Sequence, residues 1–382
     1  MNLELINRIK SHFTSTYTAE PLMIFSPGRI NIIGEHTDYN DGFVFPAAVN
    51  KGIVAAIGKS NSNESKAYAV DKDEEVSFSL NTLKPSHEGS WENYVFGVVS
   101  ELQNRSKVIG NFNIAFGGDI PGGAGMSSSA ALENSVVFGL NELFNLGLSK
   151  EEMILISQKA EHNYVGVKCG IMDQYASMFG IENNALLLDC RTVKSKPFEI
   201  DFKDYELILI NTNVKHSLSD SAYNDRRSVC ESIADMLKVK ALRDATEYDL
   251  EGIKDKVTPE NYQKALYVIQ ENKRVVEASK AMELGDLKTL GNLIYASHDG
   301  LQNQYKVSCE ELDFLVELAK KSSHVLGARM MGGGFGGCTI NLVPKLYSKT
   351  FTTEASKAYK NRFNKDCSVY AVALSNGTHI IS

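Results

Sequence analysis

Residues 117–131 read GGDIPGGAGMSSSAA. A strand-like run, Phe112–Phe116, leads into this stretch. A helix-like run from about Ser128 to Phe144 leads out, with Ala131, Val136, Leu140 and Phe144 along its inner side. Strand, glycine turn and helix therefore follow one another. Glycines let backbone N–H groups crowd together without Cβ obstruction, and some can adopt positive φ. The serines enter the helix, where a hydroxyl can cap the free N–H groups. A helix N-terminus carries partial positive charge and unpaired donors, so this turn suits phosphate. No Lys closes the loop, which excludes the GxxxxGK[ST] motif. A tight turn before an ordinary serine-capped helix is the plainer alternative.

Outward from the loop, Leu3, Ile6, Ile9 and Phe13 give residues 2–13 helical spacing. Leu22–Phe25, Phe43–Val49, Ile53–Ile57 and Val76–Leu80 read as strands, and Trp91 to Leu102 as a helix. Helices are expected at 150–165 and 172–180, and a strand at Ala185–Asp189. The polar stretch CRTVKSKP, residues 190–197, is the expected domain boundary, dividing the chain into 1–195 and 196–382. Beyond it, Leu207–Ile210, Val325–Met331, Cys338–Val343 and Val369–Leu374 read as strands. Helices are expected near 221–239, 259–284, 308–321 and 347–362. Strands and helices mixed without strict alternation argue for an α+β architecture.

The 382 residues are 43% hydrophobic and 23% charged, the balance of a soluble globular protein. The net charge of −7 offers no basic field to hold nucleic acid or an anionic membrane. The six cysteines form no CxxC pair and no zinc spacing, and read as thiols in a reducing compartment. The N-terminal MNLELINRIKSHF lacks the apolar core of a signal peptide, and no run approaches a membrane span. A soluble protein of the cytoplasm is expected.

Three further strings concentrate chemistry. SPGRINIIGEHTDYNDGFVFP, residues 26–46, puts Arg29, Glu35, His36, Asp38 and Asp41 in a short, loop-rich span. Carboxylates and an imidazole can bond a ring of hydroxyls, as a sugar requires. A surface loop with capped turns is the alternative, since Asp41-Gly42 is a turn signal. EHNYVGVKCGIMDQY, residues 161–175, carries Glu161 and Asp173 with few other charges nearby, and an acid in apolar company is either strained or useful. MMGGGFGGCTINLV contains a literal GxGxxG at Gly332, Gly334 and Gly337, but a strand-like run follows instead of a helix.

These strings resemble the motifs of the GHMP kinases and, within them, the galactokinase family. PxGAGxSSSAA is similar to the family's second motif, a loop that wraps the ATP phosphates. The resemblance implies phosphate contacts from Gly123, Ala124, Gly125, Met126, Ser127, Ser128 and Ser129, with Ser129 also a ligand of Mg²⁺. GRINIIGEHTDYNDG resembles the galactokinase signature GRxNLIGEHTDYN, with Ile32 in place of Leu. It implies sugar contacts from Glu35, His36, Thr37 and Asp38, and a catalytic role for Arg29. CGIMDQ resembles the family's CGxMDQ string and implies that Gly170 borders the sugar, that Asp173 takes the proton from its hydroxyl and that Glu161 joins Ser129 around the metal. NTNVKHSLSDSAYNDRR places Tyr223 where the family has a sugar-pocket tyrosine. Trp91 either walls the adenine or is plain core. The run at 332–337 looks like the third motif, a turn supporting the site.

The five motifs occur in the family's order across essentially the whole chain. By resemblance the fold has two domains, a ribosomal S5 domain 2-like N-terminal half and a ferredoxin-like C-terminal half. The implied activity is transfer of the γ-phosphoryl group of Mg-ATP to the anomeric hydroxyl of galactose, the first committed step of its catabolism. Galactose and ATP are the implied partners, with no nucleic acid, membrane or obligate protein partner. A kinase for another sugar, and a sensor that binds without turnover, remain as alternatives. Relatives of the sensor kind depart from SSSAA, which is intact at Ser127 to Ala131.

Overall fold

The computed structural model describes residues 2–87, 89–215 and 219–381. Within the tyrosine string, residues 216–218 lie outside the described residues. Its strands are β1 (Leu22–Asn31), β2 (Phe43–Val44), β3 (Pro46–Lys59), β4 (Ser65–Ala69), β5 (Glu74–Phe78), β6 (Phe112–Gly118), β7 (Asn184–Asp189), β8 (Lys194–Glu199), β9 (Tyr205–Lys215), β10 (Gly327–Met330), β11 (Gly336–Pro344), β12 (Ser368–Ala371) and β13 (His379–Ile380). Its helices are α1 (Leu3–Tyr17), α2 (Glu92–Asn104), α3 (Ser128–Phe144), α4 (Lys150–Ala160), α5 (Met172–Phe179), α6 (Ser219–Leu237), α7 (Glu247–Glu251), α8 (Pro259–Glu283), α9 (Leu287–Asp299), α10 (Glu310–Lys321) and α11 (Ser348–Phe363).

The first sheet runs β13-β1-β3-β6-β4-β5, with β4 and β6 parallel and the other neighbours antiparallel. Helices α2, α3, α4 and α5 bury an apolar core with this sheet around Val95, Phe112, Val136, Leu140 and Ile154. Leu5, Ile9 and Phe13 of α1 are buried in a separate cluster with Phe25 and Val54. The second sheet runs β10-β11-β9-β12, all antiparallel. In chain order its strands pair as 4-1-3-2. Helices separate the first strand from the second and α11 separates the third from the fourth, so this half has the βαββαβ order of a ferredoxin-like unit.

The differences from expectation have identifiable causes. Strand β1 runs on to Asn31, so Arg29 sits in a ladder with β3 and not in a loop. The two runs expected at 43–49 and 53–57 are the short β2 and one long strand, β3. The polar break at Asn50-Lys51 is a strand segment turned toward solvent. The second half of the stretch 190–197, expected as a domain boundary, belongs to β8, which folds back on β7; only Phe198 of β8 is buried, and an exposed edge strand lacks the apolar alternation that betrays strands. The helix expected over 150–165 ends at Ala160 and opens into one π-helical turn, Glu161–Val165, closed by Gly166 with positive φ. β4, α9 and β13 had no counterpart in the sequence reading. No helix among the described residues is long and apolar enough to cross a membrane.

Candidate active site

Four elements converge between the sheets: β1, the N-terminus of α3, the N-terminus of α5 and the glycine turn joining β10 to β11. Three adjoining cavities lie among them. The largest, about 350 Å³, is lined by Arg29, residues 123–129, Asp173 and Gly332 to Gly337. A second, about 220 Å³, lies beyond Tyr94, Ser128 and Ser129 and is walled by Ile53, Trp91, Phe116 and Leu132. A third, about 120 Å³, lies beyond Arg29, Asp173 and Gly332, and is lined by Glu35, His36, Asp38, Glu161, Cys169 and Tyr223 among others. Arg29 and Asp173 thus stand at the junction of the first and third.

The helix α3 opens on this junction in an unusual way. Ser127 takes φ 55°, and its hydroxyl makes no cap hydrogen bond. The expected serine cap is therefore absent; the Ser127 hydroxyl donates instead to Asp173 Oδ2. No acidic side chain occupies the first turn of α3. Ser127, Ser128 and Ser129 at its start line the largest cavity, and the helix brings no acidic side chain of its own there, which suits an incoming phosphate. Gly123 and Gly125 each adopt φ +68°, a conformation that side chains resist, and this bends the loop around the cavity.

Arg29 ties the strand, loop and helix together. Its Nε donates to Asp173 Oδ1 at 2.8 Å and its Nη2 to Oδ2 at 2.9 Å, a two-pronged pair. Nη1 donates to the Gly125 carbonyl, and the Arg29 backbone N–H to the Met126 carbonyl at 3.1 Å. Burial alone would lower the guanidinium pKa, but Asp173 and then Glu35 carry it above the ordinary value, so it stays charged. The pair holds one carboxylate at a fixed place between two cavities.

The smallest cavity is polar and aromatic. Asp38 accepts from the Tyr39 N–H at 2.9 Å and also bonds the Met172 backbone. Burial first, and Asp173 second, push its pKa up to about 7. Gly170 underlies Asp38; a Cβ there would lie 1.9 Å from Asp38 Oδ2. Glu35 Oε1 accepts from Nη1 and Nη2 of Arg329, both at 3.1 Å, and from the Gly332 N–H at 2.9 Å. Tyr223 packs its ring 5.3 Å from both His36 and Tyr39. Burial pushes His36 down to about 3, so its ring is neutral. Nε2 then donates to the Gly333 carbonyl at 3.2 Å, and Nδ1 accepts from the Tyr39 hydroxyl at 2.8 Å. Both nitrogens are thus engaged inside the protein, and His36 shapes the wall more than it offers a free partner. Thr37 donates to the Gly34 and Phe43 carbonyls at 2.9 and 2.6 Å and is not among the residues lining this cavity. Its hydroxyl holds the turn that presents Asp38.

The oxygen atoms near Ser129 suit a hard divalent cation. The Ser129 hydroxyl bonds the Glu161 carboxylate, and burial followed by Asp173 raises Glu161 to about 7. Glu133, one turn after Ser129 on α3, is fully buried, and its Oε1 has no hydrogen-bond partner. Among the described residues no three-ligand metal cluster occurs. Mg²⁺ does not require one, since it is commonly held by one or two carboxylates with substrate phosphates and water. Trp91, buried with its Nε1 donating to Glu74 at 2.7 Å, turns a face to the apolar second cavity, so it serves both core and wall.

Arg329, Glu133 and Gln174 also border the site and were not among the residues expected there. Each had one signal: a polar side chain in an apolar run, in VLGARMMG, in SSSAALENSVV and in GIMDQYASMF.

Residues 11–59 match the galactokinase galactose-binding signature, residues 93–181 the GHMP kinases N terminal domain, and residues 278–361 the GHMP kinases C terminal domain. The chain is 40% identical to a galactokinase of Clostridium beijerinckii, over 99% of this chain and all of that protein. It is 38% identical to a galactokinase of Thermotoga maritima, over 94% of this chain and all of that one. The crystal structure of Lactococcus lactis galactokinase complexed with galactose superposes with a TM-score of 0.94 at 34% identity, covering 98% of this chain and 99% of that one. Methanococcus jannaschii mevalonate kinase shares the fold, with a TM-score of 0.68 at 17% identity over 94% and 99% of the two chains.

Proposed function

This chain belongs to the galactokinase family of the GHMP kinases, and on that premise we propose that it transfers the γ-phosphoryl group of ATP to the C1 hydroxyl of galactose. The observation that carries the assignment of roles is the Arg29–Asp173 pair at 2.8 and 2.9 Å, standing where the phosphate-loop cavity meets the polar cavity. The apolar cavity beside Trp91 takes the nucleoside base. The N–H groups of residues 123–129 and the start of α3 hold the phosphates. The small cavity takes the hexose, with Glu35, Asp38 and Tyr223 around it. The boundary near residue 195 belongs to the same proposal, with the hexose and nucleotide held where the two halves meet.

Asp173 accepts the proton of the C1 hydroxyl as its oxygen attacks phosphorus. Such a positioned base contributes on the order of 10²–10⁴-fold. Arg29 orients that carboxylate and faces the charge that spreads over the phosphoryl oxygens. Ser129 and Glu161 are placed to hold Mg²⁺. Bound there, the cation would neutralise charge on the phosphates.

The test is galactose-dependent release of ADP, with glucose, mannose and N-acetylgalactosamine as alternative acceptors. Turnover with galactose is expected. Turnover with another of these sugars and none with galactose would move the assignment to a different sugar kinase. Binding of galactose and ATP without turnover would make the chain a sensor. Asp173→Asn is expected to retain galactose binding in calorimetry while losing about 10²–10⁴-fold in kcat. Undiminished turnover in that variant removes the base role.

A further inference from the structure

Gln174 follows Asp173 on α5 and is fully buried. Its Nε2 donates to Glu161 Oε2 at 2.9 Å and to Glu133 Oε2 at 3.4 Å. The two hydrogens of one nitrogen therefore reach carboxylates on two different elements, the π-helical turn after α4 and helix α3. The backbone of the same residue is also held. Its carbonyl accepts from Asn134 Nδ2 at 2.9 Å, and Asn134 Oδ1 in turn accepts from the Ser157 hydroxyl at 2.9 Å. Helices α3, α4 and α5 are thus joined through buried polar groups at one point.

A buried amide is costly to place, and here its Oε1 has no hydrogen-bond partner, so the bonds from Nε2 alone hold it. Its chemistry explains the choice. A Lys or Arg at this position would neutralise Glu161 and compete with a cation for it. An apolar side chain would leave the carboxylate to the Ser129 hydroxyl and the weak Cys169 thiol donor. A neutral amide fixes the direction of a carboxylate and leaves its charge available. Glu133 supplies the second anchor that stops the amide itself from turning.

We propose that Gln174, braced by Glu133, is a positioning residue for the divalent cation, holding the Glu161 carboxylate where it meets Ser129. The inference rests on the assignment of Glu161 and Ser129 to that cation. It is tested by Mn²⁺ binding to the ADP-loaded enzyme, followed by the electron paramagnetic resonance signal of free Mn²⁺. Wild type, Gln174→Met and Glu161→Ala are compared, with galactose affinity by calorimetry as the check on folding. Gln174→Met is expected to weaken Mn²⁺ about ten-fold, with galactose affinity within about two-fold of wild type and kcat reduced. Wild-type Mn²⁺ affinity in Gln174→Met, when Glu161→Ala has lost it, overturns the inference and leaves the cation assignment standing. Wild-type Mn²⁺ affinity in Glu161→Ala removes that assignment and the inference with it. Should Gln174→Met not fold, Gln174→Asn carries the same comparison. Its amide falls one methylene short of Glu161, so weakened Mn²⁺ supports the proposal and undiminished Mn²⁺ overturns it.

Discussion

Asp38 carries two consequences at the scale of a single residue. Its folded pKa of about 7 lies well above that of an ordinary aspartate, because burial and Asp173 disfavour the charge. The folded chain therefore binds a proton that the unfolded chain has already lost between about pH 4 and 7. Stability from this group falls as pH rises through that window and stays low above it. Asp38→Asn removes the penalty, so the variant is expected to melt higher than wild type at pH 8, with the advantage shrinking toward pH 5. A gap that widens toward acid pH would contradict this. Its galactose affinity should fall at every pH. The second consequence concerns the floor beneath Asp38. A methyl group on residue 170 would meet Oδ2 at 1.9 Å, so Gly170→Ala must displace the carboxylate. The expected result is a rise in KM for galactose of about ten-fold, the loss of roughly one charged hydrogen bond, with KM for ATP little changed.

Helix α3 begins without a side-chain cap. Ser, Thr, Asp and Asn are the preferred caps, as Ser149, Thr258 and Asp286 are before α4, α8 and α9. Ser127 gives its hydroxyl to Asp173 instead. The helix thereby forgoes about 1 kcal/mol of capping and keeps its N–H groups available. Ser128→Asp tests this directly. A carboxylate in the first turn stabilises an isolated helix terminus by about 0.3–1 kcal/mol, yet here it would sit in the cavity proposed for the phosphates. The melting temperature is expected to hold or rise slightly while KM for ATP rises more than about ten-fold by repulsion. Unchanged ATP kinetics would place the phosphates elsewhere. The π-helical turn after α4 is a comparable departure from regularity: it turns Glu161 inward toward Ser129 and Gln174.

For the whole molecule, the decisive contact is Arg329. It lies fully buried on β10 of the C-terminal sheet, and its Nε donates to the Ile32 carbonyl at 2.9 Å. Its other nitrogens reach the Asn31 carbonyl and Glu35. One guanidinium so connects the ferredoxin-like half to the end of β1 and to the turn that lines the polar cavity. Arg329→Met would leave buried Glu35 without its hydrogen-bonded ion-pair partner, a loss of about 3–5 kcal/mol, readable by urea denaturation. Arg329→Met combined with Glu35→Leu is expected to recover most of that stability, because an apolar pair of similar volume is often neutral. It should not recover galactose binding. Recovery of both would mean that Glu35 serves structure alone.

Much of this was legible without coordinates. The loop at 117–131 announced a strand, a tight turn and a helix start, because glycine and serine act through the local backbone. Helical spacing found α1 and α3, whose apolar stripes are local patterns. Arg29, Glu35, Asp38, Asp173 and the 123–129 loop stood in strings that resemble a family's motifs, and the fold brings them around adjoining cavities. Edge strands such as β8, and the roles of Ser127, His36 and Thr37, were not legible. A hydroxyl or imidazole has no preferred partner in sequence; tertiary packing chooses it. The sequence alone determined which charged side chains, hydroxyls and glycine turns the protein has to offer a ligand. Only the fold decided which of them face the cavities and which hold the wall, because burial and hydrogen-bond geometry arise between segments more than a hundred residues apart, as between Arg29 and Asp173.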